Sequence, residues 1–318
     1  MRAVFMGTGE IGVPAFRWLL DSPEYKVVAA VTQPDKPVGR KQELQASAIK
    51  RVALERSVPV LQPVKLRALE SVAEIVALRA DLIVVMAYGQ ILPGAVLNAP
   101  ELACLNLHAS LLPRWRGAAP IQAAIQAGDR VTGITVMYMA AGLDTGDILL
   151  MKETPIQRRD TGGSLHDRLG LLAVEALAEA LPPLAVSAAP RMPQDETEAT
   201  YAAKLTRENG LIDWTATPVE IDRRIRAMNP WPAAHTFLPT PDGPRTLKVF
   251  SCIQYRHDSG PPGAVLRADK RGLLVGAQDG AVLLRDIQLE GKKRMSAGEF
   301  LRGHPVVAET LLGRAAGS

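Results

Sequence analysis

The chain of 318 residues reads as an α/β domain built on a parallel sheet, followed by a small β-barrel domain. Two observations predict this. Residues 3–6, 27–31, 82–86 and 103–107 are short apolar runs without alternation, and amphipathic stretches lie between them. Strands apolar on both faces, alternating with helices, make a parallel sheet covered on both sides. After Ala199 the pattern changes to short β-like runs separated by Gly and Pro, at residues 247–253, 272–276 and 281–287, which suit a small barrel. A domain size of roughly 100 to 200 residues also favours two domains.

In chain order, strand 3–6 leads through Gly7-Thr8-Gly9-Glu10-Ile11-Gly12 into an amphipathic helix over 13–20, and strand 27–31 follows. Amphipathic stretches at 46–55 and 66–78 are the next helices, and 82–86 and 103–107 the next strands. Ligands of such sheets bind beyond the strand C-termini, where Gly7, Tyr88 and Asn106 fall. Residues 134–139 are expected to return antiparallel and bring Asp144 back toward His108. A helix over about 165–181 closes the domain, with Pro182-Pro183 as its stop, and a segment rich in Pro, Ala and acids follows. The resulting boundaries are 1–189 for the first domain, 190–206 for a linker and 207–318 for the C-terminal domain.

Composition narrows the class. Apolar residues make up 47% of the chain, enough for a sizeable core. No run reaches the ~18 apolar residues of a membrane span, and the N-terminus enters a strand pattern at once, so a soluble cytoplasmic protein is expected. Cys104 and Cys252 lack the CxxC or His-rich surroundings of a metal site and read as apolar fillers. Lys and Arg number 20 against 21 acids before Thr200 but 17 against 12 from there on. The positive excess therefore lies in the C-terminal part, where a polyanion is best held.

Residues Gly7 to Gly12 spell G-x-G-x-x-G in the context that a dinucleotide site demands. The second strand ends Val31-Thr32-Gln33-Pro34-Asp35, without an acid in place for a ribose hydroxyl. A tight strand-to-helix turn is the preferred reading, its backbone N–H groups still able to approach a substrate nucleotide.

The densest chemistry lies at Asn106-Leu107-His108 and in Gly142-Leu143-Asp144-Thr145-Gly146-Asp147. Asn106 and His108 stand two apart at a strand end and can point to one side. With Asp144 they supply an amide, an imidazole and a carboxylate, the groups needed to hold an acyl carbon and move protons around it. A loop, Ser110-Leu111-Leu112-Pro113-Arg114-Trp115-Arg116-Gly117-Ala118-Ala119-Pro120-Ile121, follows directly.

That loop and trio resemble the formyltransferases that use 10-formyltetrahydrofolate. The start Met1 to Thr8, Ala87-Tyr88-Gly89, residues 199–210 and Asn229-Pro230-Trp231-Pro232-Ala233 are similar to the branch acting on methionyl-tRNA. The resemblance covers nearly the whole chain. It implies a Rossmann-like catalytic domain, an OB-type C-terminal domain, and formyl transfer from the folate to the α-amine of charged initiator tRNA. Asn106 and protonated His108 would stabilise the developing oxyanion, and Asp144 would orient His108 and relay the proton leaving the amine. No metal is required.

For the reduced folate the resemblance implies Ser110, Leu111, Leu112 and Pro113 together with Met86, Tyr88, Gly89 and Ile91. Arg114 and Arg116 are candidates for an anionic substrate group, against the plainer reading of solvated loop arginines. For tRNA it implies the loop 35–44 with Arg40 and Lys41, and phosphate contacts from Lys204, Arg207, Lys292, Lys293 and Arg294. Gln42 and Glu43 make that loop less basic than is common in the family, and Ala140 replaces an acid often found there. A monomer is expected. Rival readings are an amino-sugar nucleotide formyltransferase, a formyltetrahydrofolate hydrolase, an NAD-dependent oxidoreductase resting on Gly7 to Gly12 alone, and a noncatalytic tRNA-binding protein.

Overall fold

In the computed structural model, residues 1–38, 43–186 and 188–313 are described. The chain forms two compact units. The first comprises Met1–Pro120, Val131–Pro155 and His166–Ala202, the second Ile121–Arg130, Ile156–Leu165 and Ala203–Ser318.

The first unit is built on a seven-stranded sheet. Its elements are β1 (Arg2–Gly7), α1 (Val13–Asp21), β2 (Lys26–Val31), α2 (Ala48–Glu55), β3 (Val60–Leu61), α3 (Leu69–Ala77), β4 (Leu82–Met86), β5 (Ala103–His108), β6 (Val131–Tyr138) and β7 (Ile148–Pro155). The order across the sheet is β7-β6-β5-β4-β1-β2-β3. Strands β3, β2, β1, β4 and β5 run parallel, whereas β6 and β7 are antiparallel. β1 and β4 are buried along nearly their whole length, which is why their sequences lack alternation. The chain first builds outward from β1 through β2 to β3 and then crosses to β4, so the order reverses between β1 and β4. Gly7 and Met86 end these two strands and pair across that crevice.

β6 returns antiparallel to β5 with His108 opposite Thr135 and Asn106 opposite Met137, as the sequence suggested. The helix that follows β7, α4 (Gly162–Ala185), extends beyond the expected stop and carries Pro182 and Pro183 inside it. Both prolines fall in its last turn. There they leave only the Ala178 and Glu179 carbonyls without the usual donor, so the helix ends shortly after them instead of before.

The second unit contains an antiparallel sheet of β8 (Ala234–Leu238), β9 (Arg245–Tyr255), β10 (Val265–Asp269), β11 (Gly272–Ala277) and β12 (Gly280–Leu289), in the order β8-β9-β12-β11-β10. Met295–Ser296 adds to the side of β12. The sheet thus takes in the β-like runs read from the sequence, with β8 and β10 added. Helix α5 (Pro218–Ala227) lies outside the elements read from the sequence, although Thr217 and Glu220 form a capping box at its start. The paired donors and acceptors of that box satisfy backbone groups the helix leaves open.

Candidate active site

Asn106 and His108 lie two apart at the C-terminal end of β5, with Asn106 opposite Met137 and His108 opposite Thr135 on β6. The Asp144 carboxylate gathers three groups. Its Oδ2 accepts the Gly117 N–H at 2.8 Å and lies 3.6 Å from His108 Nδ1, while Oδ1 accepts the Asn106 amide at 3.3 Å. Both ionisable members are sequestered, with side-chain exposures of 6% for His108 and 12% for Asp144. A charge held so far out of water interacts strongly with its neighbours.

His108 Nε2 lies 2.9 Å from the Trp115 carbonyl oxygen. A carbonyl only accepts, so Nε2 is the donor, and the other nitrogen faces a carboxylate that also only accepts. The expected trio therefore comes together in space, with Nε2 engaged by the following loop.

Gly117 enables this arrangement. Its φ is +110°, and a Cβ there would lie 2.6 Å from the Ala202 carbonyl oxygen. Only glycine lets residues 116–117 pair so closely with residues 201–202 while keeping the N–H on Asp144. The neighbouring Arg116 corrects the expectation of a substrate-facing arginine. Its side chain is fully buried and donates to Gln194 Oε1 at 2.8 and 3.1 Å and to Glu196 at 2.8 Å through each of two nitrogens. The Glu196 carboxylate raises the guanidinium pKa and has its own lowered in return. Arg114 instead lies over the Trp115 ring at 5.2 Å.

The segment read as a linker supplies partners that the sequence did not reveal. Thr200 Oγ1 accepts the Trp115 N–H at 2.9 Å, and the Thr200 carbonyl accepts the Arg116 N–H at 2.8 Å. Gln194 Nε2 donates to the carbonyls of Asp144 and Gly146, each at 2.8 Å. No local spacing signals these contacts, because they join residues about fifty to eighty positions apart.

The folate candidates divide into core and surface. Met86 and Tyr88 are buried in the sheet's core, and among the described residues the Tyr88 hydroxyl has no hydrogen-bond partner. Burial pushes that phenol up to about 12. The Tyr88 carbonyl receives Thr8 Oγ1 at 3.0 Å and Gln33 Nε2 at 3.3 Å, tying the loop to the ends of β1 and β2. Gly89 takes φ +86°, and Ile91 projects outward at 86% exposure. In the loop after β5, Ser110 is buried with its hydroxyl on the Arg114 carbonyl, and Leu112 packs with Met137 and Ile148. Leu111 and Pro113 remain partly accessible.

Arg40 and Lys41 lie outside the described residues. In the second unit Lys204, Arg207, Lys292 and Lys293 are exposed. Arg294 is engaged internally, donating from Nε to Asp286 at 2.8 Å with its guanidinium 4.1 Å from the Phe250 ring centre. The acid nearest the end of β2, Asp35, is bound by Lys50 at 2.7 Å and Gln62 at 2.8 Å, which hold it below the usual carboxylate range. It is thereby occupied within the protein, and Gly7 to Gly12 keeps the preferred reading of a tight turn. Among the described residues no group of three or more His, Cys, Asp or Glu is placed to hold a metal, and no helix is long and apolar enough to cross a membrane.

Residues 1–181 match the family described as formyl transferase, and residues 204–305 match the formyl transferase C-terminal domain. A methionyl-tRNA formyltransferase of Pseudomonas paraeruginosa is 50% identical over 300 residues, covering 94% of this chain and 95% of its own. That of Geobacter sulfurreducens is 46% identical over 315 residues, 99% of this chain and 98% of its own. Among solved structures, the N-formyltransferase of Helicobacter canadensis, in complex with folinic acid and dTDP-3-aminofucose, superposes with a TM-score of 0.65. At 17% identity over 92% of this chain and 99% of that one, it shares the fold. The converging trio, the two-unit architecture and identity along nearly the whole length together place the chain in the methionyl-tRNA formyltransferase family.

Proposed function

We propose that the protein transfers the formyl group of 10-formyltetrahydrofolate to the α-amine of methionine esterified to initiator tRNA, giving formylmethionyl-tRNA for translation initiation. The observation that carries this reading is the convergence of Asn106, His108 and Gly117 on the Asp144 carboxylate.

The amine attacks the formyl carbon, and negative charge grows on the formyl oxygen. The Asn106 amide and the protonated His108 ring are preorganised donors for that charge, and each such donor is worth roughly 10² to 10³ in rate. Asp144 keeps the imidazolium in place and relays the proton lost by the amine, directly or through water, to N10 of the folate as the formyl carbon–N10 bond breaks and tetrahydrofolate leaves. His108 reaches the oxyanion from Nε2 once the Trp115 carbonyl releases it. Backbone groups of residues 86–92 and the accessible side of residues 110–113 hold the reduced folate.

Residues 1–189 carry the chemistry and residues 207–318 much of the tRNA affinity, joined by 190–206. Lys204, Arg207, Lys292 and Lys293 offer phosphate contacts, and the loop bearing Arg40 and Lys41 reaches the acceptor end. The enzyme works as a monomer in the cytoplasm. The test compares labelled formyl transfer to charged initiator tRNA, uncharged tRNA and an amino-sugar nucleotide. Transfer to the charged tRNA alone is expected, and preferred transfer to the sugar nucleotide overturns the assignment.

A further inference from the structure

We infer that Gln194 is a positioning residue for formyl transfer, acting through the main chain of the turn that bears Asp144. The inference rests on the catalytic reading of the trio given above.

Asp144 has φ +53°, a left-handed conformation that costs a residue with a Cβ roughly 1 kcal/mol or more. Such a conformation persists only where its surroundings determine it. The turn is also crowded, since a Cβ at Gly146 would run into the Tyr138 carbonyl. The Gln194 amide nitrogen spans this turn from outside. Its two protons go to the Asp144 and Gly146 carbonyls, each at 2.8 Å, so a single planar group fixes both peptide orientations.

The amide is itself held. Its oxygen receives Arg116 Nε at 3.1 Å and Nη2 at 2.8 Å, which settles which end of the side chain is nitrogen. The other edge of the guanidinium is bound by both oxygens of Glu196. The Arg116 main chain is fixed as well, its N–H bonded to the Thr200 carbonyl in the pairing of residues 116–117 with 201–202, and its buried guanidinium is held by Gln194 and Glu196.

Asp144 is thus gripped at two ends by one dipeptide. The Gly117 N–H holds its carboxylate directly, and the Arg116 side chain holds its main chain through Gln194. Without the second grip the residue is free to relax from its left-handed conformation, which swings the carboxylate away from His108 and Asn106. A displacement of about 1 Å at a catalytic group costs on the order of 10²-fold in rate.

The full-length enzyme tests this with Gln194→Leu, Gln194→Glu, Asp144→Ala and the Asp144→Ala/Gln194→Leu double variant. Gln194→Glu keeps the oxygen that Arg116 binds but turns a second oxygen toward two carbonyls, so it removes the clamp without removing volume. Both Gln194 variants are expected to lose about 10- to 100-fold in kcat with KM for the folate and the charged tRNA unchanged. In single-turnover assays the double variant should be no slower than Asp144→Ala. Hydrogen exchange at the Gly117 amide should accelerate in Gln194→Glu, a readout that needs no turnover.

Normal kcat in a folded Gln194 variant, with Asp144→Ala severely impaired, overturns the inference and leaves the catalytic trio standing. The same holds if Gln194→Leu lowers the rate equally with and without Asp144. Full activity of Asp144→Ala instead removes the role assigned to that carboxylate, and unchanged Gly117 exchange then removes the clamp as well.

Discussion

His108 Nε2 donates to the Trp115 carbonyl oxygen at 2.9 Å while its Nδ1 faces Asp144 at 3.6 Å. The ring is therefore held by the Trp115 carbonyl, beside the Asp144 carboxylate, before substrate arrives. A formyl oxyanion is a stronger acceptor than a peptide carbonyl and competes for the same proton. In a complex with a reduced folate and a methionylated acceptor mimic, the Nε2 to Trp115 distance should exceed about 3.5 Å, the outer limit of a useful hydrogen bond. A crystal structure of that complex checks it. Retention of the contact means that Asn106, and not His108, faces the oxyanion.

Asn106→Ala, His108→Ala and Asp144→Ala should each lower kcat by about 10² to 10³ while leaving the fold intact. The three side chains share one carboxylate, so the combined loss should fall short of the sum of the single losses. Labelled formyl transfer under single-turnover conditions, with circular dichroism to confirm folding, makes the comparison. Near-normal turnover in any two of the folded variants contradicts the assignment.

Gly117→Ala should damage stability and chemistry together. The new methyl meets the Ala202 carbonyl at 2.6 Å and sits on a backbone with φ +110°. A strained conformation of this kind costs roughly 1–3 kcal/mol, to be read as a lower denaturation midpoint in urea. Because the Gly117 N–H also holds Asp144, kcat should drop even at temperatures where the variant is fully folded. Unchanged kcat in the folded variant argues that the N–H is dispensable.

How much of this is legible in the sequence depends on the range of the interaction. β1, β2, β4 and β5 are readable because strands packed on both faces need unbroken apolar runs. Asn106 and His108 are readable because two positions on one strand share a face. Helix α5 announces itself only through Thr217 and Glu220, its apolar positions being few. The roles of Arg116 and Gln194 are not readable. Their partners lie far along the chain, and a loop arginine facing solvent looks the same in sequence as one buried against a distant glutamate. The stop at Pro182 fails for a different reason, since a proline in the last turn of a helix removes few bonds.

Lys292, Lys293 and Arg294 are adjacent in sequence, yet the structure predicts that they behave differently. Both lysines are exposed, whereas Arg294 is bonded to Asp286 and lies against Phe250. An exposed lysine is available to a phosphate and releases a counterion on binding. Lys292→Ala and Lys293→Ala should therefore raise KM for charged tRNA. Each should flatten the dependence of log affinity on log salt by about 0.9 for every duplex phosphate that the variant no longer neutralises. The folate KM and the denaturation midpoint should not move. Arg294→Ala should do the reverse: it removes a partly exposed ion pair and a ring contact, together worth about 1 kcal/mol, and leaves the salt slope near that of the parent. Titrations of charged initiator tRNA across roughly 50 to 200 mM salt, the range over which such contacts are most visible, decide between the two behaviours. A full change of slope in Arg294→Ala with none in the lysine variants means that tRNA displaces Asp286 and takes the arginine for itself.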